Sequence, residues 1–551
     1  MKKNLYFLPL GGTGEIGMNL NLYGWGPQKN PSWIMVDLGV MFGEHRAPGV
    51  DLVTPDPSFI EEKKDQLLGI VLTHAHEDHL GGIPYLWNRL GCKVYATPFA
   101  VSILQRKLSE FNLNDKIEII EVELGSKFSI GPFNLEMISL THSIPEPNAI
   151  AIRTPAGTVL HTGDWKFDPE PITGEAVNQN FLSELGSKGV KAIVCDSTNV
   201  FSPGHSGSEG ELEKNLFNLA SNCNGKVVIA CFASNVARLT TISKVAISTN
   251  RKVVLAGRSL WRIEAAAREN GYLSDIPNFL KEEEVQYIND ENLLIICTGS
   301  QGEPRAALSR ISEGNHRYIS VGEGDRVVFS SKIIPGNEKA IADLQNSLIR
   351  RGVEVITEND ALIHVSGHPN RGELTKMYQY IKPEIAIPVH GEIRHLKKHA
   401  ALARECQVKN TFVIENGTIV CLGPDEPSIV EHVTSGRLSY EGNRLVPITG
   451  KLVKNRTKAL YSGFAVITVL YNIKGELVTD PQITTTGLLN DGDDEIIHEI
   501  FTSVRSIIEN LSGPELKKDA TVNNAVRLTT RRIFRTRLNK NAMVKVHLLR
   551  L

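Results

Sequence analysis

The rhythm of apolar positions changes twice along the chain. Over the first 200 residues they fall in short runs broken by turn residues. Residues 19–23, 32–36 and 67–72 read as strands, and 83–89 and 99–111 carry helical spacing. Residues 128–140, 149–153, 158–160 and 192–195 return to strands. From about residue 209 onward apolar strands alternate with helical stretches: 227–232 then 236–248, 253–256 then 260–269, 293–297, 327–330, 338–350 and 353–356. That alternation predicts a parallel sheet with helices on both faces. Strands at 362–365 and 385–389 follow. The stretch Gly423-Pro424-Asp425-Glu426-Pro427 reads as the start of a linker. Residues 451–551 predict a small α+β domain, with strands near 463–471 and 543–549 and helices near 494–510 and 521–538. No internal repeat or low-complexity tract is present.

Composition narrows the class. The 551 residues are 41% apolar and 22% charged, ordinary for a globular chain of three or four domains, which excludes global disorder. No apolar run approaches the ~18 residues of a membrane helix, so no membrane association is expected. The apolar start Leu5–Leu10 is too short for a signal peptide, contains Pro9 and meets no cleavage-like site. The seven cysteines are scattered, without a CxxC pair, as expected of buried thiols in a reducing cytoplasm. Net charge is −2, but residues 451–551 hold 16 basic against 10 acidic side chains. From Arg527 onward there are eight basic residues and no acidic one. This stretch reads as a solvated helix face and edge strand, or as a patch for RNA or a partner.

Candidate chemistry concentrates in one heptapeptide. The run Gly12-Thr13-Gly14-Glu15-Ile16-Gly17 matches a dinucleotide fingerprint, but a strand-like segment follows it where a helix is required, so it reads as a glycine hairpin. By contrast, Thr73-His74-Ala75-His76-Glu77-Asp78-His79 follows an apolar strand and precedes Gly81-Gly82. Burying so many polar groups unpaired would be costly. In extended chain His74 and His76 project to one side, while Asp78 and His79 come after a turn and can face a second point, which suits two metal ions sharing a loop. Further strands end in polar residues: His142 after 139–141, Asp164 after 159–163, Asp196 after 193–195, His368 after 363–365 and His390 after 385–389. Strand carboxyl ends gathered at one sheet edge are where α/β folds build active sites.

These motifs resemble the metallo-β-lactamase superfamily: H-x-H-x-D-H is complete at residues 74–79, His142, Asp164 and His390 fit the remaining ligand motifs, and Asp37 fits the first. The long interval between Asp164 and His390 is similar to the nucleic-acid-processing β-CASP branch, with Asp196, His368 and His390 at its motif positions. Within that branch the whole chain resembles the ribonuclease J family, through the motif spacing, 297–303, 364–368 and the C-terminal region. The resemblance implies an α/β fold: a metallo-β-lactamase αββα sandwich, an inserted β-CASP parallel-sheet domain and a small α+β C-terminal domain. The expected boundaries are 1–208 and 356–430 for the split metallo-β-lactamase domain, 209–355 for the β-CASP domain, 431–450 for a linker and 451–551 for the C-terminal domain.

For the site it implies two Zn²⁺, one on His74, His76 and His142, the other on Asp78, His79 and His390, with Asp164 bridging; Mn²⁺ would also be satisfied by these donors. A bridging hydroxide would attack the phosphodiester. His368 is the expected general acid, Asp196 and Glu77 are candidates to orient histidines, and Asp78 and Asp164 complete the catalytic carboxylates. The free N–H groups of a helix start at Ser234-Asn235 suit phosphate. With His364, Val365, Ser366, Gly367 and His368 they would hold a 5′-monophosphate. Phe42 is a candidate for base stacking. The implied function is 5′→3′ exonuclease and endonuclease action on single-stranded RNA in processing, maturation and decay. A homodimer or homotetramer through the C-terminal domain and membership of an RNA-degradation complex are the expected associations. The alternatives are a small ester or thioester hydrolase on the same fold, which the inserted domain disfavours, and an inactive RNA-degradation scaffold, which the complete ligand set disfavours.

Overall fold

The computed structural model describes residues 2–43, 47–472, 474 and 476–551. Two mixed sheets face each other. The first has eight strands in the order Ser428–His432, Thr418–Gly423, Asn4–Gly11, Leu20–Gly26, Ser32–Val36, Leu67–Val71, Val94–Ala96 and Ile119–Glu121. The second has seven, from Lys127–Ile130 through Phe133–Ser139, Asn148–Thr154, Gly157–His161, Ala192–Asp196 and Ile385–Val389 to Asn410–Thr411. Phe7, Tyr23, Val36 and Val71 of one sheet pack with Ile150, Val159, Val194 and Ile387 of the other in a single core. Helices Gln179–Ser187, Arg371–Ile381 and Ile393–Glu405 cover the outer face of the second sheet through Leu182, Leu374, Met377 and Leu402. Strands sandwiched this way are buried on both faces, which is why Asn4–Gly11 and Ile385–Val389 read as near-continuous apolar runs.

Between Asp196 and Ile385 the chain forms a five-stranded sheet of order Lys252–Ala256, Leu293–Cys297, Val227–Ala230, Arg326–Phe329 and Glu354–Ile356, parallel throughout. Its helices include Val236–Ser248, Arg258–Glu269, Ala307–Glu313 and Glu338–Arg350. The strand expected at 362–365 is not formed. Its Ile363 carbonyl accepts from the Arg238 guanidinium at 3.2 Å and from Ser330 Oγ at 2.6 Å, so side chains take the place of a ladder.

The chain divides into two compact units, Met1–Met41 with Thr54–Gly436, and Phe42–Val53 with Arg437–Leu551. In the second, Phe464–Tyr471 is the central strand between antiparallel Gln482–Thr486 and parallel Met543–Arg550. Helices Asp494–Glu509 and Asp519–Leu538 close its core through Ile500, Val504, Val526 and Phe534. Residues 431–450, expected as a linker, are instead largely ordered. Arg437–Glu441 and Arg444–Pro447 form a hairpin whose two-residue turn, Gly442-Asn443, has Gly442 at φ 62°. A helix, Lys451–Ser462, follows it.

Candidate metal centre

The loop after strand Leu67–Val71 carries His74 and His76 in extended chain and then turns into the short helix Glu77–Leu80. The Gly367 carbonyl can only accept, so the proton of His142 lies on Nδ1, 2.5 Å away, and Nε2 offers its lone pair. Likewise Thr73 Oγ1, which donates to Asp37, receives His74 Nδ1 at 2.9 Å and leaves His74 Nε2 free. Both lone pairs converge on His76 Nδ1, each at 3.1 Å. Asp164 Oδ2 lies 3.9 Å from His74 Nε2 and 3.8 Å from His142 Nε2. Four ligands about 2.0–2.2 Å from a tetrahedral metal are about 3.3–3.6 Å apart, and these spacings of 3.1–3.9 Å bracket that range, so small shifts would close them on one cation. Burial holds the imidazoles neutral: His74 and His142 are pushed well below the ordinary histidine range, and His76 to about 4.

The same Asp164 oxygen belongs to a second group. It lies 3.2 Å from His79 Nε2, and Asp78 Oδ2 lies 3.6 Å from His79 Nε2 and 3.2 Å from His390 Nε2. Burial alone would lower both histidines, but Asp164 with Asp78, and Asp37 beside His79, raise them well above their usual values. Asp78 and Asp164 are held low, against burial, by His79 and His390. A group this acidic demands positive charge. Asp164 Oδ1 is buried and, although 3.1 Å from His390 Nδ1, makes no hydrogen bond. An acceptor so placed fits a bound cation.

Backbone strain fixes this group. Asp37 and His390 both have left-handed φ, 63° and 51°, uncommon for non-glycine residues and costly unless the surroundings impose it. Asp37 accepts from Thr73 N and Thr73 Oγ1, both at 2.8 Å, and from His79 Nδ1 at 2.7 Å. His390 N donates to Gly12 O at 2.6 Å, so the glycine hairpin is part of the floor beneath His390. Gly39 packs directly on the His79 loop, where a Cβ would sit 1.7 Å from Asp78 O.

A third group includes the candidate proton donor. His368 Nδ1 contacts Asp196 Oδ2 at 2.8 Å, and the His368 ring stands 4.9 Å from that of His142. Burial would lower His368, but Asp196, and Asp164 behind it, raise it above its ordinary value. Thr198 Oγ1 donates to Asp196 Oδ1 at 2.7 Å and Thr198 N to the same oxygen at 2.8 Å. The structure does not bring Glu77 to a histidine; it pairs with Lys107.

Of the candidate phosphate residues, Ser234 Oγ is 3.1 Å from His76 Nε2. Ser366 Oγ accepts from Asn199 Nδ2 at 2.6 Å and from His368 N at 3.2 Å. His364 Nδ1 is buried without a partner, facing the positive side chains of Arg238, Lys332 and Lys166, and its pKa is driven well below the usual range by burial and then by those charges. Val365 is buried. The side chain of Asn235 is committed to structure: Oδ1 caps the helix at Arg238 N, and Nδ2 donates to Glu209. Phe42 belongs to the other unit and is 69% exposed.

Sequence reasoning missed several supports. Asn19 Nδ2 donates to Asp78 O at 3.0 Å and lies 3.1 Å from His79 Nε2. Arg238, fully buried, grips Glu209 through Nε at 3.1 Å and Nη2 at 2.8 Å, and also holds Ser330 and Ile363. Glu209 precedes the inserted sheet and Ile363 follows it, so one guanidinium ties both chain crossings. Nothing in the local sequence around Arg238 or Asn19 marks them, because their partners are distant in the chain.

The family described as beta-lactamase superfamily domain matches residues 33–181, and the ribonuclease J beta-CASP domain matches 224–348. The Zn-dependent metallo-hydrolase RNA specificity domain matches 336–413, and the ribonuclease J C-terminal domain matches 451–551. Ribonuclease J of Sinorhizobium meliloti is 40% identical over 96% of this chain and 94% of its own length. Ribonuclease J of Mycolicibacterium smegmatis is 38% identical over 94% of this chain and 92% of its own. A crystal structure of a protein of unknown function from Enterococcus faecalis, 16% identical, aligns with a TM-score of 0.53 over 76% of this chain and all of that one, a likeness of fold. With the αββα sandwich, the inserted parallel sheet and the clustered histidines and aspartates, these matches show that the chain belongs to the ribonuclease J family and is a metal-dependent ribonuclease.

Proposed function

We propose that the chain binds two Zn²⁺, one on His74, His76 and His142 and one on Asp78, His79 and His390, with Asp164 between them, and cleaves single-stranded RNA both 5′→3′ from a monophosphate end and internally. The reading rests on one observation: both ligand groups include Asp164, whose Oδ2 lies within 3.9 Å of His74 and His142 and 3.2 Å of His79, and His368 stands beside them on Asp196. Nitrogen and carboxylate donors suit zinc, and Mn²⁺ would also be held. The bound metals supply an activated water and offset negative charge on the phosphate.

The protein's own groups do the rest. Asp196 fixes the Nδ1–H of His368, so Nε2 is the atom that gives a proton to the departing 3′-oxygen as the P–O3′ bond breaks. The products are a 3′-hydroxyl and a new 5′-monophosphate. Asp37 and Gly367 hold His79 and His142 in the required tautomers. Ser234, His364, Val365, Ser366 and Gly367 line the pocket for the terminal phosphate, while Asn235 contributes by capping the helix behind it.

The boundaries follow the same reading: the split metallo-β-lactamase domain in 1–208 and 356–430, the β-CASP domain in 209–355, and a C-terminal domain that pairs subunits into a dimer or tetramer. Action in cytoplasmic RNA processing and decay, within an RNA-degradation complex, accords with this activity. The test combines metal analysis with digestion of RNA labelled at either end. Two zinc ions per chain and mononucleotide release from 5′-monophosphate RNA are expected. Cleavage that persists in protein freed of metal overturns the proposal.

A further inference from the structure

The arginine-rich end of the chain remains unexplained by the catalytic centre. On helix Asp519–Leu538, Val522, Val526, Ile533 and Phe534 are buried in the core of their own unit. The opposite face carries Arg527, Arg531, Arg532 and Arg535. Positions 527, 531 and 535 are four apart, so they form a slowly turning stripe with about 6 Å between successive arginines. Leu528, 50% exposed, lies within that stripe, and a shallow depression lined by Asp519, Thr521, Asn524, Ala525 and Arg527 adjoins it at the helix start, where Asp519 is neutralised by Arg550.

The basic residues of this region do not all behave alike. Arg537 pairs with Glu495 and Glu499, and Arg550 with Asp519. Among the described residues no carboxylate lies within 4.0 Å of Arg527, Arg531, Arg532 or Arg535; Arg527 bonds only the Asn524 amide oxygen, at 2.6 Å. Four guanidiniums on one turn-aligned face, without internal counter-charges, repel one another in the free protein, and a polyanion relieves that repulsion. The planar fork of arginine matches a phosphate with two parallel hydrogen bonds.

Other occupants fit less well. A two-fold copy of the chain centred here would set arginine against arginine. The apolar side of the helix is already consumed by the core, so the face lacks the hydrophobic wedge of a lipid-surface helix. The substrate of this ribonuclease is itself a polyanion.

We propose that the Arg527–Arg531–Arg532–Arg535 face is an RNA-backbone binding surface that holds substrate phosphates outside the catalytic centre. It binds without reading sequence.

The test uses the full-length metal-loaded enzyme with all four arginines changed to glutamine, and a second variant with all four changed to lysine. KM and kcat are measured on a roughly 40-nucleotide single strand and on a tetranucleotide, between about 50 and 200 mM salt. For the glutamine variant, KM on the long RNA should rise at least about tenfold at low salt. The slope of log affinity against log salt should flatten by up to about 3, from four lost charges at about 0.7 each. Its kcat and its tetranucleotide kinetics should stay unchanged. The lysine variant, which keeps the charge, should retain most of the slope. An unchanged KM and slope in the glutamine variant overturns the proposal. So does a fall in its particle mass by light scattering, which would assign the face to a second copy of the chain.

Discussion

Changing Asp196 to Asn tests the proton-transfer step at a carboxylate outside the two proposed zinc-ligand sets, 3.6 Å from His390 Nδ1. Asp196 Oδ1 receives Thr198 N and Thr198 Oγ1, and an amide oxygen can keep both bonds. The other oxygen, 2.8 Å from His368 Nδ1, becomes an NH₂ group that donates where a carboxylate accepted. The imidazolium loses its charge-assisted partner, worth about 1.5–3 kcal/mol for a hydrogen bond to an ionised group. If His368 must be protonated to release the 3′-oxygen, that energy appears in the barrier as a loss of about 10- to 150-fold in kcat. The assay compares RNA with a nucleoside p-nitrophenyl phosphodiester, whose leaving group departs without a proton. The loss should appear on RNA and shrink to within about threefold on the nitrophenyl ester, with metal content unchanged. Equal losses on both substrates would mean that Asp196 acts elsewhere and that His368 is not the donor.

Three further outcomes are expected. His76→Ala should lower metal content and slow cleavage by at least about 10²-fold with folding retained; a folded, metal-depleted variant that cuts normally would refute the ligand assignment. A 5′-triphosphate RNA should be degraded from its end far more slowly than the monophosphate form, because two further charged groups would be buried unpaired. Ser234→Ala should narrow that difference more than it slows internal cleavage, and equal rates on both ends in the unmodified enzyme would remove the pocket. The third concerns acid stability. His399 is buried neutral between Ser197 Oγ and Tyr378 Oη, and burial pushes it down to about 4. Below its ordinary pKa of about 6.5 the unfolded chain takes up a proton that the folded chain refuses. Its stabilising effect is therefore complete above about pH 6.5 and drains away toward about pH 4, by up to about 3 kcal/mol. Urea midpoints of the wild type and His399→Gln should diverge at neutral pH and converge in acid; a constant difference would show that this imidazole does not titrate on unfolding.

Much of the architecture was legible because periodicity and punctuation agreed. The strand–helix alternation after residue 209 gave the parallel sheet, and the heptapeptide at 73–79 marked the centre by its density of donors alone. Errors arose where partners are remote. The segment 362–365 has the composition of a strand, but Arg238 and Ser330 claim its carbonyl. The Gly442-Asn443 turn was readable as a hairpin signal, yet the preceding Gly-Pro-rich stretch drew the region toward a linker. Glu77 sits among the candidate ligands in sequence but turns to Lys107, since it starts the helix whose other face carries Asp78 and His79. Asn19 and Thr198 could not be found from spacing, because what distinguishes them is the backbone geometry of loops that meet only in the fold.

The pairing of Ala192–Asp196 with Ile385–Val389, and of Asn4–Gly11 with Thr418–Gly423, means that neither sheet is complete until the chain beyond the inserted domain has been made. Ribosomes release the chain from its amino end, and strands paired across hundreds of residues are the last to settle. A nascent chain that has emerged as far as Ile356 already carries every candidate ligand except His390, but it lacks the strand that delivers that histidine and two of the eight strands of the first sheet. The enzyme is translated from the very polymer it destroys. Placing a candidate ligand and a next-to-edge strand of each sheet beyond the inserted domain leaves each unfinished copy without a complete site.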